Sequence, residues 1–325
     1  MQQLTDLKSI FDDYLKQQTF QKPPEGLYEP VRYIMSLSGK RLRPTMVLMA
    51  YQMFRKDYEA VLPVAFAVEI FHNFTLLHDD IMDEAPLRRG KPTVHKIWNS
   101  NTAINAGDVM LVHAYDYLSQ VGNPEALPHL LGVFNRVARQ VCEGQQMDMD
   151  FEQREEVSIE QYLKMIELKT AVLMSGSLEM GAIVAGASRQ DQYHAAEFGR
   201  SIGIAFQLQD DILDTFGDPQ KVGKKPGGDI IQNKKTFLIL KALELATGAS
   251  YGRLRKLMTT PTENEQEKVA EVRGILEQLN IPALAGAEKN RFRQEALDHL
   301  QAIEVPEFEK RPLYDLKELL VSRDH

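Results

Sequence analysis

Two short acidic runs carry the strongest chemical signal in this sequence. Asp79, Asp80 and Asp83 spell D-D-x-x-D, and Asp210, Asp211 and Asp214 spell it again. Aspartate is 20 of 325 residues. A random chain of that composition would hold about 0.08 such motifs, so a pair is not an accident of composition. One run alone would read as a solvated acidic helix end. Against that, three like charges within a helical turn repel one another, and aspartate is a weak helix former. Both runs also close an apolar helical stripe, where the helix dipole disfavours anions. Such an arrangement persists more readily when a cation neutralises it. Carboxylates at i and i+4 share a helix face. Two such faces across a cavity would offer the hard oxygen ligands that Mg²⁺ takes while keeping waters and sharing substrate phosphates. The residues therefore predict a metal–diphosphate clamp inside a helical bundle.

Carboxylates alone would repel a diphosphate, and the sequence places cations beside them. Arg88, Arg89 and Lys91 follow the first run. Lys221, Lys224 and Lys225 follow the second in a Gly/Pro-rich loop, with Lys234 and Lys235 at the next helix start. A third group, Lys40, Arg41 and Arg43, opens an early helix. Arginine forks hold phosphate oxygens bidentately, and lysine acts as a mobile point charge. Any one group would read as a solvated patch; three beside turns, two of them beside acid, point to an anionic ligand.

The elements that must position these residues are helices. Leu4, Leu7, Ile10, Phe11, Tyr14 and Leu15 recur at intervals of three and four. Similar stripes predict helices over 43–54, 62–83, 103–120, 127–152, 159–186, 190–214, 234–246, 263–279 and 290–303. Alternating strand patterns with tight hairpin turns are missing. Gly and Pro cluster between the stripes, at 23–24, 90–92, 122–124 and 217–228. No low-complexity linker separates domains, so the expected fold is all-α: one large bundle over 1–325, with 260–325 as peripheral helices. The net charge of −8 argues against general nucleic-acid binding, which needs a basic surface. The lone cysteine, Cys142, excludes an internal disulfide and is expected to be a small buried hydrophobe. That fits a reducing cytosol, and the first residues lack a secretory signal pattern, so a cytoplasmic location is expected. The apolar stretch 171–187 is interrupted by Glu179 and is too short and small-sided to span a membrane.

With those motifs in place, the chain resembles the trans-isoprenyl diphosphate synthase family, also called polyprenyl synthetases, and most of all its short-chain geranylgeranyl and farnesyl members. The resemblance runs from Gly39 to about Lys235. It rests on G-K-R-L-R-P at 39–44, H-N-F-T-L-L-H-D-D-I-M-D at 72–83, L-R-R-G-K-P-T-V-H at 87–95, G-Q-Q-M-D at 144–148, K-T at 169–170, Q-L-Q-D-D-I-L-D at 207–214, V-G-K at 222–224 and G-G-D-I at 227–230. Ser38 departs from the pattern, since many members carry a second Gly there. The resemblance implies a head-to-tail condensation of isopentenyl diphosphate with an allylic diphosphate of C5 to C15, by ionisation, condensation and elimination. It implies Mg²⁺, three ions per site with diphosphate bound, on Asp79, Asp80, Asp83, Asp210, Asp211 and, less directly, Asp214. Arg88, Lys169, Lys224 and Lys234 are implied for the allylic diphosphate, and Lys40, Arg43, His72 and Arg89 for isopentenyl diphosphate. Thr170 and Gln207 are implied to stabilise the carbocation, with Gln145 and Asp148 behind them. A homodimer is the family's usual assembly.

In this family the growing tail runs beside the first aspartate helix, and bulky residues upstream of the first Asp act as a floor. Phe74 stands five residues before Asp79 and Phe71 eight before, roughly 7 and 12 Å along a helix. Thr75 shares a face with Phe71. One aromatic at this position, with no insertion within 79–83, resembles geranylgeranyl-forming members, so a C20 product is expected, with C15 as the alternative. A terpene cyclase usually carries only one D-D-x-x-D, and a regulatory subunit tends to lose aspartates or basic residues; both readings fit this chain less well.

Overall fold

Apolar residues spaced three and four apart become helices along almost the whole chain in the computed structural model, which describes residues 2–218, 227–260 and 264–321. In order these are α1 (Gln2–Gln17), α2 (Glu25–Ser36), α3 (Leu42–Gln52), α4 (Leu62–Met82), a hairpin of β1 (Leu87–Arg88) and β2 (Lys91–Pro92), α5 (Val94–Ile97), α6 (Ser100–Leu118), α7 (Leu127–Gln153) and α8 (Ile159–Ile166). A π-helical turn (Glu167–Ala171) leads into α9 (Val172–Val184) and α10 (Arg189–Phe216). Then come α11 (Gly228–Ile231), α12 (Phe237–Leu245), α13 (Gly248–Thr259), α14 (Glu265–Gln278), α15 (Ile281–Ala302) and α16 (Glu307–Val321). Among the described residues, no helix is long and apolar enough to cross a membrane.

The chain divides into two compact units, residues 1–134, 176–195 and 304–312 in the first and 135–175, 196–303 and 313–325 in the second. In the first, α4 packs against α3, α6, α1 and α2. It is apolar nearly all round, as a helix enclosed by others must be: Phe66, Val68, Ile70, Phe71 and Leu77 are buried. Phe66 meets the rings of Phe11, Tyr14, Phe20 and Tyr117. Pro63 lies in the first turn of α4, where its missing N–H costs nothing. Enclosure of α4 fixes where its last turn, with Asp79 and Asp80, emerges.

The second unit has its core along α12, α14 and α15, where Leu238, Val272, Leu276, Ile281 and Leu300 are buried. Ser158 and Gln161 form a reciprocal capping box that starts α8, satisfying two otherwise orphaned backbone donors.

Three local expectations needed revision. A continuous helix over 159–186 was expected, but a π-turn interrupts it at Glu167–Ala171. Such turns leave no mark on apolar spacing and occur often at functional sites. A hairpin forms where none was expected, with Leu87 opposite Pro92 and Arg88 opposite Lys91. Its strands are too short to show alternation; Arg89 and Gly90, both at positive φ (52° and 75°), make the two-residue turn. Cys142 is exposed rather than buried. The inward stripe of α7 runs through Val137, Val141, Gly144 and Gln145, and Cys142 falls outside it.

Candidate active site

The first acidic set sits where α4 ends. Asp80 is buried, at 2% exposure, and Asp83 caps the helix, donating its backbone N–H to the Asp79 carbonyl at 2.8 Å. Arg88, on β1, donates through Nη2 and Nε to Asp80 Oδ1 at 2.5 and 3.0 Å. Burial raises the Asp80 carboxyl above its usual range, while Arg88 pulls in the opposite direction. The hairpin thus carries a guanidinium to the acid, and Thr93 Oγ1 ties the hairpin back by donating to the Ala85 carbonyl at 2.7 Å.

A basic set adjoins it in the same unit. Arg43 Nη1 lies 3.1 Å from His72 Nε2, and Arg43 Nε is buried without a protein partner. Burial pushes the Arg43 guanidinium down to about 10, against the pull of Glu69. Burial also holds His72 well below 6.5, and Arg43, Arg89, Arg88 and Arg41 all push the same way. A neutral His72 can therefore accept a hydrogen bond from Arg43. Lys40 is exposed at the start of this segment. Such an arrangement can hold an anion, since several cations converge and the Arg43 Nε donor has no protein partner.

Upstream on α4, Phe74 and Phe71 touch, with centroids 5.6 Å apart. Phe71 is backed by Phe134 at 5.2 Å, and Phe74 meets His78 at 4.8 Å. Thr75 spends its hydroxyl on the His72 carbonyl at 2.8 Å.

The second acidic set lies near the end of α10. Asp211 is buried, at 3% exposure. It accepts a short hydrogen bond from the Tyr162 hydroxyl and one from Gln207 Nε2 at 3.4 Å. Burial dominates its titration and pushes it up to about 8; the hydrogen bonds oppose this and the charge of Asp229 adds to it. Asp214 instead accepts the backbone N–H of Asp229 at 3.0 Å, holding the turn that opens α11. The Asp210 side chain is half-buried.

A cavity of about 220 Å³ opens beside Asp211. It is lined by Asp148, Lys169, Thr170, Gln207, Asp229, Lys234 and Lys235, with Phe151, Met165 and Ile166 as apolar wall. Thr170 Oγ1 donates to Gln207 Oε1 at 3.4 Å, and Lys169 makes a short ion pair with Asp148. Lys234 stands 3.8 Å from Asp229. The π-turn places Lys169 and Thr170 here, and two glycines let it approach. A Cβ on Gly203 would stand 2.7 Å from Ala171 Cα, so α10 meets the turn backbone to backbone, one helical turn before Gln207. Gly144 of α7 approaches the backbone of Leu168 and Lys169 more closely still.

Of the residues expected from sequence, Asp148, Lys169, Thr170, Gln207, Asp211, Lys234 and Lys235 line this one cavity, while Asp210 and Asp214 are not among its lining. Asp80 pairs with Arg88, and Arg43 with His72. Lys224, with Lys221 and Lys225, lies outside the described residues. Asp229 and Tyr162 line the cavity without having been expected; Asp229 stood inside the quoted G-G-D-I motif, whereas Tyr162 gave no signal. One other group among the described residues has metal-ligand spacing, Glu197, Glu295 and His299. Arg200 already bonds both of its carboxylates, and Arg291 lies 3.5 Å from Glu295, so protein cations already face both.

With this geometry in view, the family model described as polyprenyl synthetase matches residues 24–276. The chain is 37% identical over 303 residues to a geranylgeranyl diphosphate synthase of Methanosarcina mazei, covering 93% of this chain and 91% of that one. A solved geranylgeranyl pyrophosphate synthase superposes with a TM-score of 0.93 at 43% identity, over 98% of both chains. The geranylgeranyl pyrophosphate synthetase of Pyrococcus horikoshii superposes at 0.91 with 32% identity, over 99% of this chain and 97% of that one.

Proposed function

We propose, for a chain that belongs to the polyprenyl synthetase family and is a short-chain prenyltransferase, that it extends allylic diphosphates with isopentenyl diphosphate to geranylgeranyl diphosphate, C20. Supporting this are the relatives above, whose names specify that product, and the bulky Phe74 five residues before Asp79, backed by Phe71. The observation that carries the chemistry is the cavity where Lys169, Thr170, Gln207 and Asp211 meet against an apolar wall.

The residues fit a divalent cation. Both acidic sets offer oxygen ligands only, which suits Mg²⁺. Asp211 is a buried carboxyl that burial drives toward neutrality, a cost that a bound cation would reverse. We assign Mg²⁺ to Asp79, Asp80, Asp83, Asp210 and Asp211, with Asp214 less direct because it holds the Asp229 turn; three ions with diphosphate bound is the stoichiometry we expect. When bound, Mg²⁺ supplies Lewis-acid withdrawal of charge from the leaving diphosphate.

The side chains do the rest. Arg88, Lys169 and Lys234 neutralise charge growing on the allylic diphosphate as its C–O bond breaks, and Asp148 orients Lys169. Lys40, Arg43, His72 and Arg89 hold isopentenyl diphosphate. Thr170 and Gln207 turn oxygens toward the allylic cation. Phe151, Met165 and Ile166 exclude the water that would quench it to an alcohol. The double bond of isopentenyl diphosphate then attacks, and the departed diphosphate accepts the proton that is lost. We assign a homodimer, which the exposed Ile104 and Val112 on one face of α6 support, and a cytoplasmic location, which suits charged diphosphate substrates.

The test is incubation with Mg²⁺, isopentenyl diphosphate and each of the C5, C10 and C15 allylic diphosphates, with products resolved by mass. A C20 end product is expected. Absence of any chain extension would reject the reaction, and accumulation of C15 alone would reject the product.

A further inference from the structure

Behind the basic set lies a buried polar cluster that no step above uses. Arg41 is 7% exposed, Glu69 1% and Asn73 0%. Arg41 Nη1 pairs with Glu69 Oε1 at 2.5 Å. Asn73 Nδ2 donates to the same Oε1 at 2.8 Å and to the Glu69 carbonyl at 2.8 Å. The other arm of the guanidinium, Nη2, donates to the Met35 and Leu37 carbonyls, each at 2.9 Å. Arg41 itself sits at φ 50° and ψ 37°, a left-handed conformation that non-glycine residues rarely keep unless their surroundings hold them.

A buried ion pair is weak evidence for stability, because apolar residues of the same volume often serve as well. Its geometry here has a more specific consequence. Leu37 carries a second guanidinium on the same carbonyl oxygen, since Arg89 Nη1 donates to it at 3.2 Å. The Arg89 guanidinium also lies across Gly39, where a Cβ would stand 2.7–3.0 Å from its atoms. Arg41 therefore ties α4 to the loop before α3, and that loop ties down Arg89. Lys40 and Arg43 flank Arg41 in the chain, and His72 precedes Asn73 on α4.

We propose that Arg41, Glu69 and Asn73 form a positioning clamp that sets Lys40, Arg43 and Arg89 at the spacing the diphosphate of isopentenyl diphosphate requires. The inference rests on the assignment of those residues to that substrate. None of the three clamp residues touches the substrate; they act through the backbone of residues 35–41 and through Arg89.

Glu69→Gln separates this role from a simple charge effect. Taking a carboxylate away from a cluster of cations would, by charge alone, strengthen diphosphate binding and lower the KM. Loss of positioning predicts the opposite: the KM for isopentenyl diphosphate rises tenfold or more, while the KM for the allylic diphosphate stays within about twofold. Asn73→Ala and Arg41→Lys are measured alongside, so that the test survives if Glu69→Gln fails to fold; each is expected to raise the same KM selectively. A folded Glu69→Gln enzyme with an unchanged or lowered KM for isopentenyl diphosphate overturns the clamp, as does an equal rise in both KM values. Lys40→Ala distinguishes the two levels. If it raises the KM for isopentenyl diphosphate and the clamp variants do not, only the clamp fails. If Lys40→Ala leaves that KM unchanged, the substrate assignment fails and takes the clamp with it.

Discussion

Gly144→Ala should disable the enzyme from a position that touches no substrate. An alanine Cβ there would stand 2.7 Å from Leu168 C and Lys169 Cα, and closer still to Lys169 N, where ordinary contact begins at 3.4 Å. All three atoms are backbone, so no side-chain rotation relieves the overlap. Either α7 or the π-turn must move by roughly 1 Å, and overpacking of this kind costs ~1–3 kcal/mol. For a chain of this size that lowers Tm by a few degrees, on the order of 2–10 °C. The kinetic effect should be larger. The turn carries Lys169 and Thr170, and a displacement of about 1 Å in positioned groups can cost up to ~100-fold in rate. The assay is kcat at saturating Mg²⁺ and both substrates, together with a melting curve. Gly132→Ala on the same helix is the control: nothing lies within 4 Å of its Cβ, so alanine there should be neutral or stabilise by roughly 0.5–1 kcal/mol. A Gly144→Ala enzyme with wild-type kcat and Tm would refute the idea that close approach of α7 sets the turn.

Phe74→Ala should lengthen the product, read by mass, but only modestly, because Phe71 and Phe134 still close the space behind it; an unchanged product distribution would reject the floor. His72 gives a pH dependence with a definite sign. Its folded pKa lies well below 6.5 through burial and the charges of Arg43, Arg89, Arg88 and Arg41, so the folded chain binds fewer protons than the unfolded one. Its contribution to stability is therefore present above about pH 6.5 and is lost as the pH falls below it, by at most ~1.4 kcal/mol per unit; His72→Gln should flatten that slope in urea unfolding between pH 5 and 8, and identical slopes would contradict it. Chelation with EDTA should abolish turnover while leaving the far-UV circular dichroism intact, and Mg²⁺ should restore it; turnover persisting in EDTA would remove the metal from the reaction.

The helices were legible because their signal is repetitive. The apolar pattern of 62–83 runs on over about six turns, and α4 (Leu62–Met82) reproduces it nearly to the residue. Features that occur once were not. The π-turn changes the hydrogen-bond register of a helix by one residue without disturbing which side chains are apolar. The hairpin at Leu87–Pro92 consists of two-residue strands around Arg89-Gly90. Only the glycine hinted at it, within a segment otherwise read as a basic loop.

The same asymmetry explains which site residues were foreseen. Aspartates grouped at the C-terminal ends of helices stand out because the helix dipole disfavours them there, and Asp80 and Asp211 proved to be buried carboxylates with specific partners, Arg88 for one and Tyr162 with Gln207 for the other. Glu69, Asn73 and Tyr162 escaped because each is a single polar residue inside an apolar stripe. Sequence spacing reports which face of a helix turns inward, but not what an inward polar group will meet. Burial without a partner would make Glu69 costly, so its presence at the centre of α4 already implied a cation delivered from elsewhere in the chain. Which cation it was depended on the left-handed turn at Arg41. No local pattern announces that turn in the arginine of G-K-R-L-R-P, because the carboxylate that pairs with its guanidinium, Glu69, comes from α4, 28 residues along the chain.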